Sequence, residues 1–508
     1  MDSVTAAQYL IMKDSFARQG IQIDVAYTPN GEVDYMYVVG QLLALDRGNN
    51  IQRIQQALGG VRRVELPGQS RLGDLAVLSI DDEVYRREGY LTVPQALDLI
   101  DDRLVTNNFA RREELPLATP VHIMHITKIC PADEPEVPCG CESSPAQPCP
   151  PVTPGAGGTG VRLGVSDTGL LENLDLAQVP WLDGVTGEPD LLGPILPGGQ
   201  LNIPEYAGHG TFIAGVARSM APGATVYVNN HFTMSGGELE YVIIEKLEQL
   251  IADFSPAVVN LSAGTYTRNN WASLAFSDFR TRHSDLVLVA AAGNDSTHRP
   301  FYPAAFEWAV SVGALGADQE HRAWFSNYGP WVDVYAVGEG MINAYASGVY
   351  TYREPPKRPA VATFKGMAKW DGTSFSTPMV AGIIAAEMAR AGSDAETAAQ
   401  AVLAKARAQA ISGVGPALYP ADAHIALQAR GAPPASGGAR RRSDTALVGC
   451  IRWRRGALRV RKEVNRHYRG ADDGSRRAGR GWPCVTTRQS SRLLLARPGA
   501  TRPRGARS

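Results

Sequence analysis

A three-layer α/β/α domain with a mainly parallel sheet, preceded by a small α+β domain, is the fold that this sequence predicts. Three observations predict it. From residue 161 onward, short and almost continuously apolar stretches alternate with amphipathic ones. Strands apolar on both faces belong to a parallel sheet covered on both sides. Residues 1–125 run strand–helix–strand–strand–helix, an order that suits a small open sheet with helices on one face. Pro, Gly, Glu and Ser dominate residues 126–160, which read as a linker between the two.

In the first domain, Tyr35 to Gly40, Val61 to Leu66 and Leu75 to Ile80 have strand character. Asn50 to Leu58 has helical spacing and is stopped by Gly59-Gly60, and Val93 to Leu104 is the second helix. In the domain spanning 161–430, strands are expected at Val161 to Ser166, Ala224 to Val228, Ala257 to Leu261, Leu286 to Ala291, Val310 to Ala314 and Val332 to Ala336. Helices are expected over Gly237 to Phe254, with Leu239, Val242, Ile243, Leu247 and Leu250 on one face, and around Trp271 to His283. Residues 341–369 read as a surface hairpin, Val349 to Tyr352 and Val361 to Phe364 flanking a Pro-rich tip.

The chain has 508 residues and a formal net charge of −1, unevenly spread. Residues 431–508 carry about +16 and the rest about −17. The tail is rich in Arg and Gly without periodicity, so disorder is expected; the sharper alternative is contact with nucleic acid, although the basic-aromatic patterns of such modules are missing. Met1 to Gly20 contain Asp2, Lys13, Asp14 and Arg18 and no apolar core, and no stretch of about 18 apolar residues follows, so a cytoplasmic location without a membrane span is expected. Four of the six cysteines, Cys130, Cys139, Cys141 and Cys149, lie in the linker. Their spacing lacks paired CxxC units, which favours linker thiols or a redox disulfide over zinc.

The chemistry centres on Trp370-Asp371-Gly372-Thr373-Ser374-Phe375-Ser376-Thr377-Pro378. Ser374 falls at the start of a small, apolar helix, where unpaired N–H groups and the helix dipole favour developing negative charge. A lone serine there is ordinarily an N-cap. Three other stretches change that reading. Asp167 ends a strand in Ser166-Asp167-Thr168-Gly169, His209 lies in Gly208-His209-Gly210-Thr211, and Asn294 follows the most apolar strand in Ala292-Gly293-Asn294-Asp295. Ser374 needs a base, which neutral His209 suits. His209 needs a carboxylate to fix its tautomer and stabilise its cation, which Asp167 supplies. A tetrahedral intermediate needs donors on its oxyanion, which the Asn294 amide and the Ser374 N–H supply. The order Asp, His, Ser is one of the known orders for such a triad.

These residues resemble the signatures of the subtilisin-like serine proteases over roughly residues 160–430. The resemblance rests on SDTG at Asp167, GHGTFIAGVA at His209, AAAGND at Asn294 and DGTSFSTPMVAG at Ser374. It implies a serine endopeptidase that hydrolyses peptide bonds through an acyl-enzyme, acting on a protein or peptide substrate, with no cofactor required. Calcium is often bound in the family, but no complete ligand set declares itself here. Leu261, Ser262, Ala263 and Gly264 resemble the family's substrate-binding strand, and the small residues Ala263, Gly264, Ala291 and Gly293 leave room for a large apolar substrate side chain. Two residues depart from the family pattern: Ser166 replaces an aliphatic residue, and Val337 stands where proline is usual. The 1–125 domain resembles, more loosely, the family's inhibitory propeptide, which implies an intramolecular inhibitor cut off within 126–160. The rival reading of that domain is a permanent regulatory or partner-binding unit, and the rival to the endopeptidase is a catalytically silent protein that keeps the cleft as a peptide-binding groove.

Overall fold

The computed structural model describes residues 3–89, 91–126, 134–138, 146–172, 174–190, 192–232, 236–353 and 357–423. The predicted tail 431–508 and Cys130, Cys139 and Cys141 lie outside the described residues.

The first domain begins with α1 (Ser3–Arg18) and β1 (Ile23–Tyr27), continues through β2 (Val33–Leu45), α2 (Asn50–Leu58), β3 (Val61–Arg63), β4 (Leu75–Ile80), α3 (Asp82–Arg87) and α4 (Val93–Thr106), and ends with β5 (Ala118–Ile126). Thr92 starts α4 with a full capping box, its hydroxyl accepting from Gln95 N while the Gln95 side chain accepts from Thr92 N. The helix α2 stops at Gly59, which takes the left-handed conformation that glycine adopts without strain. One face of the sheet packs Tyr37, Leu42 and Leu78 against Ile54, Leu97 and Ile100 of the two predicted helices.

The second domain contains β6 (Arg162–Asp167), β7 (Thr186–Gly187), β8 (Asn202–Ile203), α5 (His209–Met220), β9 (Thr225–Asn230), β10 (Gly237–Leu239), α6 (Glu240–Phe254), β11 (Val258–Leu261), β12 (Ala263–Gly264) and α7 (Leu274–Arg282). It continues with β13 (Val287–Ala291), β14 (Val310–Leu315), β15 (Val334–Val337), β16 (Met341–Thr351), β17 (Val361–Trp370), α8 (Thr373–Ala391), α9 (Ala395–Ala408) and β18 (Ala417–Leu418). Eight strands form one sheet in the order β18-β15-β14-β13-β11-β6-β9-β7, and every pairing in it is parallel. Helices α5 and α8 pack on one face with Phe212, Val216, Phe375 and Ile384; α6 and α7 cover the other with Ile243, Leu247 and Phe276. The predicted three-layer α/β/α fold is therefore present.

Three sequence expectations are corrected. Gly237–Leu239 is a strand rather than the first turn of the helix, because these residues pair antiparallel with β5. The hairpin of β16 and β17 is longer than expected and lies in the core: Tyr345, Phe364 and Trp370 are fully or almost fully buried with Phe212 and Phe375. The described parts of 126–160 are held rather than loose. Glu136 pairs with Lys369 and Cys149 with Ile342 as antiparallel bridges along the hairpin, and the buried Glu134 accepts from Tyr350 Oη (3.1 Å) and Arg353 N (2.6 Å). Ile126 itself belongs to β5.

The sequence also left the other face of the N-terminal sheet unassigned. There Met36, Leu43, Val77 and Ile123, with Met12 and Phe16 of α1, pack against Ile243, Leu247, Phe276 and Phe279 of α6 and α7, so one apolar cluster runs through both domains. Polar anchors surround it. Arg268 bonds Asp101 (2.8 Å) and Asp98 (2.5 Å) of α4. Glu240, at the start of α6, accepts from His122 N (2.8 Å) and lies 2.8 Å from His122 Nδ1, with both side chains 1% exposed. Burial pushes the Asp101 carboxyl up although Arg268 pulls it down, so Arg268 is what keeps a charge tenable there. Arg268→Ala is expected to destabilise the full chain by about 3–5 kcal/mol, as breaking one side of a buried pair does. Asp98→Ala removes a partner that is 71% exposed and is expected to cost under about 1 kcal/mol. Urea unfolding midpoints of the two variants measure the difference.

Candidate active site

The sheet sets the site. Ser166 of β6, Leu261 of β11 and Ala290 of β13 stand side by side in register, so Asp167, Ser262 and Ala291 follow at the same level at the carboxyl ends. In parallel α/β sheets chemistry collects at that end. Asp167 is fully buried, and its Oδ1 accepts from Thr168 N (2.8 Å) and His209 Nδ1 (2.7 Å). His209 is the first residue of α5, so the start of that helix sets where the ring stands relative to Asp167. The His209 ring packs against the mutually touching rings of Trp370 and Phe375, each with its centre 5.3 Å away.

Ser374 is the second residue of α8, and Gly372 precedes the helix at φ 153°. A side chain on Gly372 would approach Asn294 Nδ2 to 3.3 Å, so the turn needs its glycine. The Ser374 hydroxyl donates to Ser262 O (3.3 Å). Asn294 is fixed through its side-chain carbonyl, which accepts from Thr373 N (2.9 Å) and Thr373 Oγ1 (2.8 Å) and thereby sets the direction of its NH2. His209, Asn294 and Ser374 line one small cavity together with Tyr206, Trp370 and Ile126. All four residues singled out from the sequence thus converge.

The sequence reading named Ser262 only as part of the substrate strand and missed that it, with Asn260, Asp190 and Thr168, holds these residues. Pro378 has no N–H, so the carbonyl of Ser374, four residues earlier, lacks its helical donor. Ser262 Oγ supplies the missing bond (2.9 Å) and is itself oriented by Asn260 Nδ2 (3.0 Å). That proline was the available signal. Asp190 had none, since it acts at a distance along the chain: its Oδ2 accepts from Thr168 Oγ1 (3.0 Å) and Gly208 N (2.6 Å), while Thr168 Oγ1 accepts from Gly210 N (3.0 Å). The residue after Asp167 and both neighbours of His209 are tied together in this way. Ser166, the departure noted above, has a partner of its own in the buried His231 (Oγ to Nδ1, 3.1 Å). Burial lowers His231 to about 3, so this ring stays neutral at ordinary pH.

The substrate-strand residues are also in place, but occupied. Strand β5 lies between β10 and β12, antiparallel to both, with His125 opposite Gly264 and Ile126 opposite Ala263. Ile126 N donates to Gly236 O (2.8 Å). The expectation of an open pocket beside Ala263, Gly264, Ala291 and Gly293 is not met: a Cβ on Gly264 would fall 2.4 Å from Phe301 Cε1, and one on Gly293 3.3 Å from Phe301 Cδ1. Small backbone residues here admit the chain's own phenyl ring.

A family model described as the subtilase family matches residues 158–417, just over half of the chain, a span that contains Asp167, His209, Asn294 and Ser374. The chain belongs to the subtilase family. Among its relatives, the thermophilic serine proteinase of Bacillus sp. (strain AK1) is 31% identical over 247 residues, covering 45% of this chain and 54% of the relative. Subtilisin Savinase of Lederbergia lenta is 30% identical over 240 residues, covering 46% of this chain and 77% of the relative. Thermitase of Thermoactinomyces vulgaris is 28% identical over 275 residues, covering 51% and 85%. The chain spans about half the length of several curated relatives it matches. Among the described residues of this subtilase, no group of three or more His, Cys, Asp and Glu side chains is placed to hold a metal ion, and no helix is long and apolar enough to cross a membrane.

Ser262→Ala leaves the Ser374 carbonyl buried without its donor, which costs about 1–3 kcal/mol. After both chains are cut beyond Ile126, the variant is expected to react with a fluorophosphonate roughly ten times more slowly or worse than the parent protein, measured as a labelling rate.

Proposed function

We propose that this subtilase is a serine endopeptidase whose N-terminal domain covers its cleft until the chain is cut. The observation that carries the reading is the hydrogen bond from His209 to the buried Asp167 beside a cavity shared with Ser374 and Asn294. In the proposed reaction Ser374 Oγ attacks the substrate carbonyl and its proton passes to His209 Nε2. Asp167 keeps Nδ1 protonated and stabilises the imidazolium. The oxyanion receives hydrogen bonds from the Asn294 NH2 and the Ser374 N–H. The carbon–nitrogen bond then breaks as His209 returns the proton to the leaving amine. Water hydrolyses the acyl-enzyme by the same route.

Inhibition is supported by the way β5 lies. A substrate of this kind binds as an extended strand added to a sheet edge. Strand β5 already holds that place on β10 and β12 and ends at Ile126, which lines the cavity with His209 and Ser374. The silent-groove alternative has no observation in its favour, because a peptide groove needs neither the Asp167–His209 bond nor an Asn294 amide pinned by Thr373.

The test is a fluorophosphonate probe with Ser374→Ala as control. The uncut chain is expected not to react; the chain cut beyond Ile126 is expected to react at Ser374, with an N-terminus found between residues 127 and 160. Labelling of the uncut chain overturns the inhibitor role, and absence of labelling after cutting and removal of the N-terminal fragment overturns the peptidase. Ser374→Ala or His209→Ala is expected to lower kcat by about 10⁶, and Asn294→Ala by about 10²–10³, figures that derive from subtilisin, a member of this family.

Release of the N-terminal domain is expected to be pH-dependent. Glu238 of β10 pairs with Met124 of β5, and burial raises its carboxyl to about 7, against the smaller opposing pulls of its Leu239 N–H bond and Lys246. A raised carboxyl favours the covered state while protonated. That contribution is full below about 4.5 and is lost as the pH rises towards 7, at up to roughly tenfold per unit. Labelling of the cut, undissociated chain is therefore expected to be faster at pH 7.5 than at pH 5, and Glu238→Gln is expected to flatten the difference.

A further inference from the structure

We propose that Phe301 closes the pocket for the side chain of the residue whose carbonyl is attacked, so that this subtilase cleaves after glycine, alanine or serine and rejects large apolar side chains. This rests on the peptidase reading above and concerns its substrate class.

The register of β5 locates the pocket. His125 lies opposite Gly264 and Ile126 opposite Ala263. A substrate strand in the same register has its next residue opposite Ser262, whose carbonyl faces the Ser374 hydroxyl. Its side chain shares the strand face of His125, two residues earlier, whose ring centre lies 5.9 Å from that of Phe301, and so is directed between Ala263–Gly264 and Ala291–Gly293, the two segments that Phe301 touches. Phe301 occupies this space. It is fully buried and stands edge-on to Tyr266 with ring centres 5.0 Å apart. Its ring leaves too little room for a single carbon on Gly264, whose Cβ would lie 2.4 and 2.7 Å from it and 2.6 Å from Tyr302 O.

Phe301 cannot easily move aside. Thr265 and Tyr302 exchange two backbone hydrogen bonds (2.8 and 2.9 Å), which hold the Phe301 segment against the substrate strand. Beyond the ring, Tyr266 Oη donates to Asp295 Oδ2 (2.6 Å) and accepts from Asn327 Nδ2 (3.0 Å). Asn327 also donates to Ala292 O (2.8 Å) and accepts from Asp295 N (3.0 Å). The two backbone walls are thus cross-linked by side chains where a long substrate side chain would have to pass. A cavity of about 510 Å³ adjoins the site and reaches Asn294, His125 and Thr265, but its other walls include Tyr266, Asp295 and the Thr28–Met36 segment of the N-terminal domain, and Phe301, Ala263, Gly264, Ala291 and Gly293 do not line it. Forcing extra carbons into packed space is penalised steeply.

The test uses internally quenched peptides that differ only at the attacked residue, with the full-length protein after it has cut itself. Alanine or serine is expected to exceed leucine or phenylalanine by roughly 100-fold in kcat/KM. Phe301→Gly is expected to reverse the order, with phenylalanine gaining at least about tenfold over alanine. If that variant fails to fold, the parent protein answers alone: peptidyl diphenyl phosphonates ending in alanine are expected to inactivate it far faster than those ending in phenylalanine. A preference for leucine, phenylalanine, arginine or lysine overturns the proposal while leaving the peptidase intact. Absence of all cleavage together with absence of fluorophosphonate labelling overturns the peptidase reading, and this proposal with it.

Discussion

The common level at which β6, β11 and β13 end is the constraint on which the site depends. Parallel pairing aligns Ser166, Leu261 and Ala290 across three adjacent strands. Every group beyond that line, Asp167, Ser262 and Ala291 with Asn294 shortly after, inherits its height from the sheet rather than from its own loop. Helices α5 and α8 then bring His209 and Ser374 to the same level. A one-residue slip of β11 would move the Ser262 carbonyl and hydroxyl away from Ser374 together, since both are set by one short segment. The precision of the site is a property of backbone pairing first and of side chains second.

A second layer fixes what the sheet leaves loose. Asp190, Thr168 and the Gly208 and Gly210 amides are linked by hydrogen bonds that decide how His209 leaves its loop and enters α5. Ser262 and Asn260 do the same for Ser374 by completing a helix that Pro378 leaves one bond short. Buried polar groups of this kind are costly when unpaired and rigid when paired, which is the property a preorganised site requires.

The site was legible in the sequence because its residues carry strong local punctuation: glycines around His209 and Ser374, a strand end before Asp167, an apolar strand before Asn294. The parallel sheet was legible for a similar reason, as apolar runs such as Leu286 to Ala291 leave little choice. Features that depend on distant partners were not. Gly237–Leu239 continues a helical pattern and becomes a strand only because β5 lies beside it. The hairpin Met341–Trp370 reads as a surface excursion, and only the packing of Tyr345 and Phe364 on the core reveals otherwise. The small residues at Gly264 and Gly293 suggested empty space, because a sequence shows which residues lack side chains but not which side chain from elsewhere fills the gap.

The bonds from Glu134, Glu136 and Cys149 to the β16–β17 hairpin divide the polypeptide in a place that composition alone would not choose. These residues belong mechanically to the subtilase domain, whereas Ile126 belongs to the strand of the N-terminal domain that lies on it. Only the peptide steps between 126 and 134 join the two attachments, a span that extended chain bridges within about 30 Å. In the proposed inhibition, an intact connection makes rebinding of the covering strand intramolecular, at an effective concentration on the order of millimolar. Once it is severed, the same strand competes as a free solute and its hold falls with dilution. On the inhibitory role proposed above, cutting exchanges a concentration-independent covered form for one that uncovers as the solution thins.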